Sequence, residues 1–506
     1  MTVLVARTIF AVPPFPGATP FPVVRPADPT SGEVHSGVTP GALIAALREH
    51  KVGGRFWLSP DQPSGPIRVK ADDHEALLAA VRGRPITTDG DGPYAALSGL
   101  TPRSPQAEAM LEAMAGRDLL DGIAYASPFT GEPISPLQLI DILGGWRALI
   151  DANRPIAAAF GFARWKQDTV ASLLWGGHDV PFHAPREDML TQLPADAAVA
   201  VWKARVPPAF LAALEANGRP LFEVEDGFIR SAGLGADCVP PLSIVLDDLG
   251  VHYDPARPNR LEDMLAEGDF SAADLLRARE LREWLVREGV SKYGVGSGEA
   301  LVRHDKNKRY LLVVGQVEDD RSVQFGGGEV RSNLELLRRV RALDPDAHII
   351  YRPHPDVEAG HRRGAIPPRT ALQHADIIDD GNAIGALIDL VDEVHVITSL
   401  AGFEALMRGK AVTTHGAPFF AGWGLTRDLA PCPPRRGVAR TLDQLVAATL
   451  LRYPRYLDPV TNLPCPPEVM ILRLLTGNRR RNGALVPLRK FFGWVKRAGQ
   501  RFLDMR

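Results

Sequence analysis

The chain has 506 residues, too many for one ordinary hydrophobic core, and its 45% hydrophobic and 23% charged residues are the balance of a globular protein with two or three domains. Three distant cysteines, Cys238, Cys432 and Cys465, with no CxxC or Cys/His cluster, exclude a disulfide framework and a zinc site and fit a reducing compartment. The net charge of −2 is uneven: nine Arg or Lys against one Asp from Arg479 to Arg506 make +8, so the rest carries −10, a mildly acidic body with a basic tail and no nucleic-acid signature.

In chain order, MTVLVARTIF is a short apolar run interrupted by Arg7 and is not expected to act as a leader. No run of about 18 apolar residues follows, so no membrane-spanning helix is expected. Residues 1–130 are rich in Pro, Gly, Asp and Thr, with helical spacing at PGALIAALREH and DDHEALLAAVRG, weak strands between, and no motif that assigns a role. From Pro136 the pattern strengthens. LQLIDILGGWRALIDANR is a helix, PIAAAFGF a strand, KQDTVASLLW a helix, DAAVAVWK a strand, PAFLAALEANG a helix stopped by Gly218, and PLFEVE a strand. After the helical DLLRARELREWLVREG and a Gly-rich turn, a second set begins near Lys308. RYLLVVGQ, HIIYRP, EVHVIT and AVTTHG are its strands, alternating with the helices RSNLELLRRVRAL, AIGALIDLV and SLAGFEALMRG. Such alternation predicts two parallel, doubly wound sheets.

Ligands of these sheets bind beyond the carboxyl ends of the strands. After Val314, GQVEDDRSVQFGGGEVRSN is neither a Walker A loop nor a dinucleotide fingerprint; Gly326 to Gly328 offer backbone amides to an anion or simply form a loop. In YRPHPDVEAGHR, Pro353 and Pro355 fix the direction of His354, which is suited to donating to a phosphate oxygen and is otherwise a surface residue. In TSLAGFEALMRG, Ser399 is expected at a helix N-cap, and Glu404 is either a ribose contact or a solvated acid. In THGAPFFAGWGLTRD, Phe419 and Trp423 are either a pocket wall or loop packing. Gln316, His354, Ser399 and Trp423 thus fall on successive strand-end loops, the layout of a nucleotide-phosphate site without a metal cluster. In the first set, LFEVEDGFIRSAGLG places Glu225 and Asp226 together before Gly227. Asp-Gly between apolar arms is a hairpin signal; the other reading is a strand that ends in a pocket, with one carboxylate doing chemistry.

The stretches FGFARWK, FEVEDGFIRSAGLG, GQVEDDRSVQFG, YRPHPDVEAGHR, TSLAGFEALMRGK and GAPFFAGWGLTRD, spread in order over about residues 125–470, resemble the KpsC/LipA-type capsular polysaccharide β-Kdo transferases, Kdo being 3-deoxy-manno-octulosonic acid. The resemblance implies an α/β, GT-B-like fold of two Rossmann-like doubly wound domains facing across a cleft, plus an N-terminal extension. The expected boundaries are 1–130 for that extension, 131–305 for an acceptor-side domain with the nucleophile, 306–477 for a donor-binding domain, and 478–506 for a basic amphipathic tail. The resemblance also implies CMP-Kdo as donor and retention through a covalent Kdo–Asp intermediate. The matching acid is Asp226, with Glu225 as its neighbour; His354 with Pro355, and Ser399, match the CMP-phosphate contacts. Adjacent acids on an extended strand face opposite ways, so one nucleophile is expected rather than a dyad, with Gly227 permitting a bend. Arg230 is expected either to meet the Kdo carboxylate or to make an ordinary ion pair.

Long members of the family carry two transferase modules, whereas this chain has room for one recognisable copy. It is therefore expected either to add one linkage only or to work with a separate partner, a second transferase or the capsule export machinery, with a glycan or glycolipid as acceptor. No cofactor or metal is expected. The tail, with apolar residues on one face and basic flanks, is expected to bind the anionic inner face of the cytoplasmic membrane. Two alternatives stand beside the transferase: a non-catalytic capsule assembly or export factor that binds Kdo glycolipid, and a sugar-nucleotide epimerase or hydrolase of similar build.

Overall fold

The structure is a computed structural model that describes residues 2–28, 37–61, 65–231, 239–292, 294–295, 301–360 and 362–477. The expected basic amphipathic tail, 478–506, lies outside the described residues. Among those described, no helix is long and apolar enough to cross a membrane.

The chain divides into two compact units. The first comprises Met1–Ala159 with the segments Asp168–Phe182 and Leu457–Cys465; the second comprises Phe160–Gln167, His183–Tyr456 and the segment that begins at Pro466. The first unit is thus larger than the expected extension of residues 1–130. The reason is the helix Pro136–Asn153, opened by a capping box in which Ser135 and Gln138 exchange hydrogen bonds. It buries Leu139, Ile140, Leu143, Trp146 and Ile150. Trp146 stacks edge-on against Phe15, and its indole N–H donates to the carbonyl of Pro464 at 2.7 Å. Arg147 reaches back to the carbonyls of Lys51 and Pro60. The helix therefore belongs with the N-terminal chain and not with the sheet that follows it.

Among the described residues, the six-stranded sheet lies in the second unit, and so do the strands Ala198–Val201, Leu221–Asp226 and Ser243–Asp247 of a seven-stranded sheet. One is parallel throughout; among the described residues its six strands run in the order Ile377–Ile378, His348–Arg352, Tyr310–Val314, Glu393–Val396, Ala411–Thr414, Arg427–Asp428. Its central strand, Tyr310–Val314, is buried at every position, as a sheet covered on both faces demands. The helix Asn333–Leu343 packs on it through Leu336, Leu337 and Val340, spaced at three and four residues.

The other sheet is mixed, which the helix–strand alternation did not predict. Ala198–Val201 runs parallel to Leu221–Asp226, but Leu221–Asp226 pairs antiparallel with Ser243–Asp247. In that register Glu225 faces Val245 and Asp226 faces Ile244. A tight hairpin at Asp226–Gly227 is therefore excluded, because the partner strand is reached only after the long connection that ends at Leu242. Gly227 is also not needed for a left-handed turn, since its φ is not among the positive ones. Its N–H donates to the carbonyl of Ser243 at 3.0 Å, and a Cβ built on it would lie 2.2 Å from Ser243 Oγ and 2.8 Å from Ser243 Cβ. The glycine is required by close approach between strands.

Gly227→Ala is therefore expected to destabilise the protein by about 1–3 kcal/mol through overpacking. Adding Ser243→Gly, which removes both offending atoms, should recover part of that loss in urea unfolding. Equal destabilisation in the two Ser243 backgrounds would mean that the close approach is not the cause.

Candidate active site

The strand Leu221–Asp226 presents Glu225 and Asp226 at its carboxyl end, inside a shell of cations. Arg230 Nε lies 2.8 Å from Asp226 Oδ2, and Lys166 Nζ lies 3.4 Å from Asp226 Oδ1. Both cations are buried, while the Asp226 side chain keeps 22% of its surface exposed, which leaves it one open side. Lys166 stands near the start of the helix Arg164–Leu174, with its ammonium 3.2 Å from the ring centroid of Trp202. Burial lowers the Lys166 pKa to about 8, and Asp226 and Glu225 limit the fall. Burial opposes the Asp226 carboxylate, but Arg230 and Lys166 together outweigh it and hold its pKa below the ordinary aspartate value.

Glu225 is placed differently. Its Oε1 accepts a hydrogen bond from the backbone N–H of Asp226 at 2.9 Å, so the side chain curls toward its neighbour. Burial first, then the negative charge of Asp226, pushes its pKa up to about 7. At neutral pH the site thus pairs an ionised carboxylate with one poised to gain or lose a proton, the separation that assigns different roles to two acids.

Arg230 forms an ion pair with Asp226, and its Nη2 is buried with no hydrogen-bond partner among the described residues. Its backbone N–H donates to the carbonyl of Lys292 at 3.0 Å, and the N–H of Lys292 donates to Glu404 Oε1 at 3.2 Å. Lys292 therefore links the arm behind Asp226 to the helix Ala401–Met407 behind the parallel sheet. Glu404 is half-buried and raised by burial to about 7, so it is not a solvated acid.

At the strand ends of the parallel sheet, His354 caps the short helix Pro355–Glu358, with Pro355 as its first residue. Its Nδ1 accepts from the N–H of Asp356 at 3.1 Å, which puts the ring proton on Nε2. Burial, opposed by Asp356 and reinforced by Lys292, holds the imidazole below its ordinary pKa and hence neutral at pH 7. Ser399 is one residue ahead of the expected position: Leu400 is the N-cap, and the Ser399 hydroxyl accepts from the N–H of Ala401 at 3.3 Å. Gln316 is buried, and its amide both accepts from Thr398 N–H (2.8 Å) and donates to Thr398 Oγ1 (3.0 Å). It braces two strand ends instead of presenting its amide to a ligand. Trp423 is fully buried, with its indole N–H on the carbonyl of Phe419 at 2.9 Å, and Phe419 packs among Phe228, His252, Phe403 and Phe420. Loop packing, not a pocket wall, is their role.

Lys166 and Lys292 were not singled out from the sequence. Lys166 ends the FGFARWK stretch, but only the fold sets it against Asp226, 60 residues on. Lys292 precedes the Gly-rich turn and carries no local signal. Among the described residues no group of three or more His, Cys, Asp or Glu is arranged to hold a metal ion.

A six-stranded parallel sheet and a mixed sheet that carries this acid pair make an α/β, GT-B-like fold. The family model described as "Capsule polysaccharide biosynthesis protein" matches residues 197–293 and 281–456, and the chain belongs to that family as a KpsC/LipA-type member. It is 38% identical over 404 residues to the capsule polysaccharide modification protein LipA of Neisseria meningitidis serogroup B, covering 77% of this chain and 56% of LipA. Two solved structures of Thermosulfurimonas dismutans KpsC are similar. The beta Kdo 2,7 transferase is 32% identical with a TM-score of 0.52, over 64% of this chain and all of the other; the beta Kdo 2,4 transferase is 28% identical with a TM-score of 0.54, over 63% and 98%. The chain spans just over half the length of the curated relatives it matches.

The electrostatic origin of the acid pair is directly testable. In isotope-edited NMR of glutamate-labelled protein, Glu225 should titrate near pH 7, and Asp226→Asn should move that midpoint down toward the ordinary glutamate range. An unchanged midpoint would show that the Asp226 charge does not act on Glu225.

Proposed function

We propose that the chain is a retaining β-Kdo glycosyltransferase that moves Kdo from CMP-Kdo to a glycan or glycolipid acceptor in capsule synthesis. The observation that carries this reading is the split acid pair: Asp226 ionised between Lys166 and Arg230, Glu225 beside it with a pKa of about 7. The likeness to two Kdo transferase structures supports the choice of sugar.

In the first step an Asp226 carboxylate oxygen attacks the ketosidic carbon of Kdo. The bond from that carbon to the phosphate oxygen breaks, and CMP departs with the electron pair. The neutral His354, protonated on Nε2, is suited to donate to a phosphate oxygen as charge develops there, and Ser399 lies at the neighbouring helix start. Forming the ester removes the negative charge of Asp226. That charge is one of the causes holding Glu225 up, so its loss lowers the Glu225 pKa and leaves a carboxylate at neutral pH. Glu225 then takes the proton of the acceptor hydroxyl as its oxygen attacks the same carbon from the opposite face, and Asp226 leaves as carboxylate. Two inversions give net retention. Lys166 and Arg230 stabilise Asp226 before and after each turnover. The chemistry asks for no resident metal, and a chelator is expected to leave turnover unchanged.

Intact-protein mass spectrometry with CMP-Kdo and no acceptor should show a species heavier by one Kdo, mapped to the peptide that holds Asp226. Asp226→Asn should fold, bind CMP and lose both adduct and transfer. An adduct on another residue, or full activity in Asp226→Asn, would falsify the assignment. Wild type that binds Kdo glycolipid but never turns over CMP-Kdo would favour a non-catalytic capsule factor.

The same reading places the enzyme at the inner face of the cytoplasmic membrane through its basic tail, with nine Arg or Lys against one Asp from Arg479 to Arg506. Deleting residues 479–506 should abolish sedimentation with anionic vesicles and spare solution turnover; unchanged sedimentation would remove the tail from this role.

A further inference from the structure

A ketose donor of the proposed kind carries a carboxylate on the same carbon that Asp226 has to reach. Beside Asp226 stands a cation whose hydrogen-bonding capacity is not used up. Arg230 is 1% exposed and firmly held. Its Nη1 donates to Ser231 Oγ at 2.7 Å, its backbone N–H donates to the carbonyl of Lys292 at 3.0 Å, and its carbonyl accepts from the N–H of Leu242 at 2.7 Å. Nε stands 2.8 Å from Asp226 Oδ2, close enough for the charges to pair, yet neither Nε nor Nη2 has a hydrogen-bond partner among the described residues. These two nitrogens form one edge of the planar guanidinium, the edge that takes a carboxylate through two parallel N–H groups. Leaving such donors buried and unsatisfied is costly. The fold nevertheless fixes them against a carboxylate that keeps 22% of its side chain exposed.

We infer that the Nε–Nη2 edge of Arg230 receives the carboxylate of the donor sugar. Arg230 then serves nucleophile and substrate at once, and selects a 2-ulosonic acid over a neutral sugar nucleotide. This inference rests on the CMP-Kdo reading above. An oxygen bound at Nη2 lies next to Asp226 Oδ2, because Nε and Nη2 are bonded to the same carbon. Before attack, two carboxylates share one guanidinium and repel each other. Ester formation neutralises Asp226 and leaves the guanidinium charge to the sugar carboxylate. The contact therefore strengthens as the reaction proceeds, which is the condition for a contact to speed the step as well as to bind. A neutral sugar leaves both donors buried without an acceptor and is rejected for that reason.

The test measures binding in the full chain carrying Asp226→Asn, which removes turnover and also the charge that Arg230 supports. CMP-Kdo and CMP are titrated by calorimetry into Asp226→Asn alone and combined with Arg230→Met or Arg230→Lys. Removing both members of the buried pair spares the fold an unpaired charge, and thermal melting checks it. Asp226→Asn should bind CMP-Kdo more tightly than CMP. Adding Arg230→Met should weaken CMP-Kdo by roughly 10- to 100-fold and leave CMP, which lacks the carboxylate, within about twofold. Arg230→Lys, a single ammonium in place of the fork, should fall between the two. If CMP and CMP-Kdo weaken in parallel, Arg230 serves the phosphate or the fold and the inference is overturned. It is equally overturned if Arg230→Met keeps the affinity for CMP-Kdo, or if Asp226→Asn binds both ligands equally. Should the Met variant fail to melt cooperatively, Arg230→Lys decides by the same comparison. Asp226→Asn that binds neither ligand overturns the donor reading and this inference with it. CMP-Kdo held selectively through Arg230 but never turned over by wild type overturns the transferase reading alone.

Discussion

One carboxylate held ionised between two buried cations organises this molecule. Removing Asp226, Lys166 and Arg230 from water is costly to each, and Lys166 already shows that cost as a pKa lowered to about 8. The cost is offset only because the three are brought together, with Trp202 closing over the ammonium. Everything near the pair is arranged around that requirement. The strand must run through Asp226 in antiparallel register, Gly227 must lack a side chain so that Ser243 can approach, and Arg230 must reach Asp226.

The parallel sheet contributes polarity of the other sign. His354 is neutral with its ring proton on Nε2, and helix starts and backbone amides gather at the strand ends. Lys292 and Glu404 join this region to the acid pair through backbone hydrogen bonds, which keep both halves of the site in register. A second junction lies at Glu262, buried and paired with both Arg435 and Arg436. Arg436 in turn donates to the carbonyl of Pro418, and so pins the aromatic loop of Phe419 and Trp423 to the helix Arg260–Ala266. A buried pair of this kind contributes more to a unique arrangement than to net stability.

The aromatic loop shows how a site-like composition becomes a structural one. Phe419, Phe420 and Trp423 sit beyond a strand end, where ligands are expected, yet all three are buried, and the Phe419 ring packs against Phe228, His252 and Phe420. Phe228 comes from the arm just after Asp226. The loop therefore supports, from behind, the arm that follows Asp226.

The alternation of helices and strands, the parallel sheet with its strand-end loops, and the candidate pair Glu225–Asp226 were all legible in the sequence. Periodicity and turn chemistry are local properties, and the family stretches lie in contiguous runs. The antiparallel return of Ser243–Asp247 was not legible, because pairing direction depends on a partner that follows a long connection. The compact N-terminal unit runs past residue 130 because Trp146 and Arg147 find their partners at Pro464, Lys51 and Pro60, which no local pattern announces. The residue types at the site were determined by sequence alone; the division of labour between them was decided by tertiary structure. Which acid is ionised, which cations stand beside it, and which histidine nitrogen carries the proton depend on burial and on groups brought close by the fold. Those are properties of distance in space, and a linear chain does not hold them until it folds.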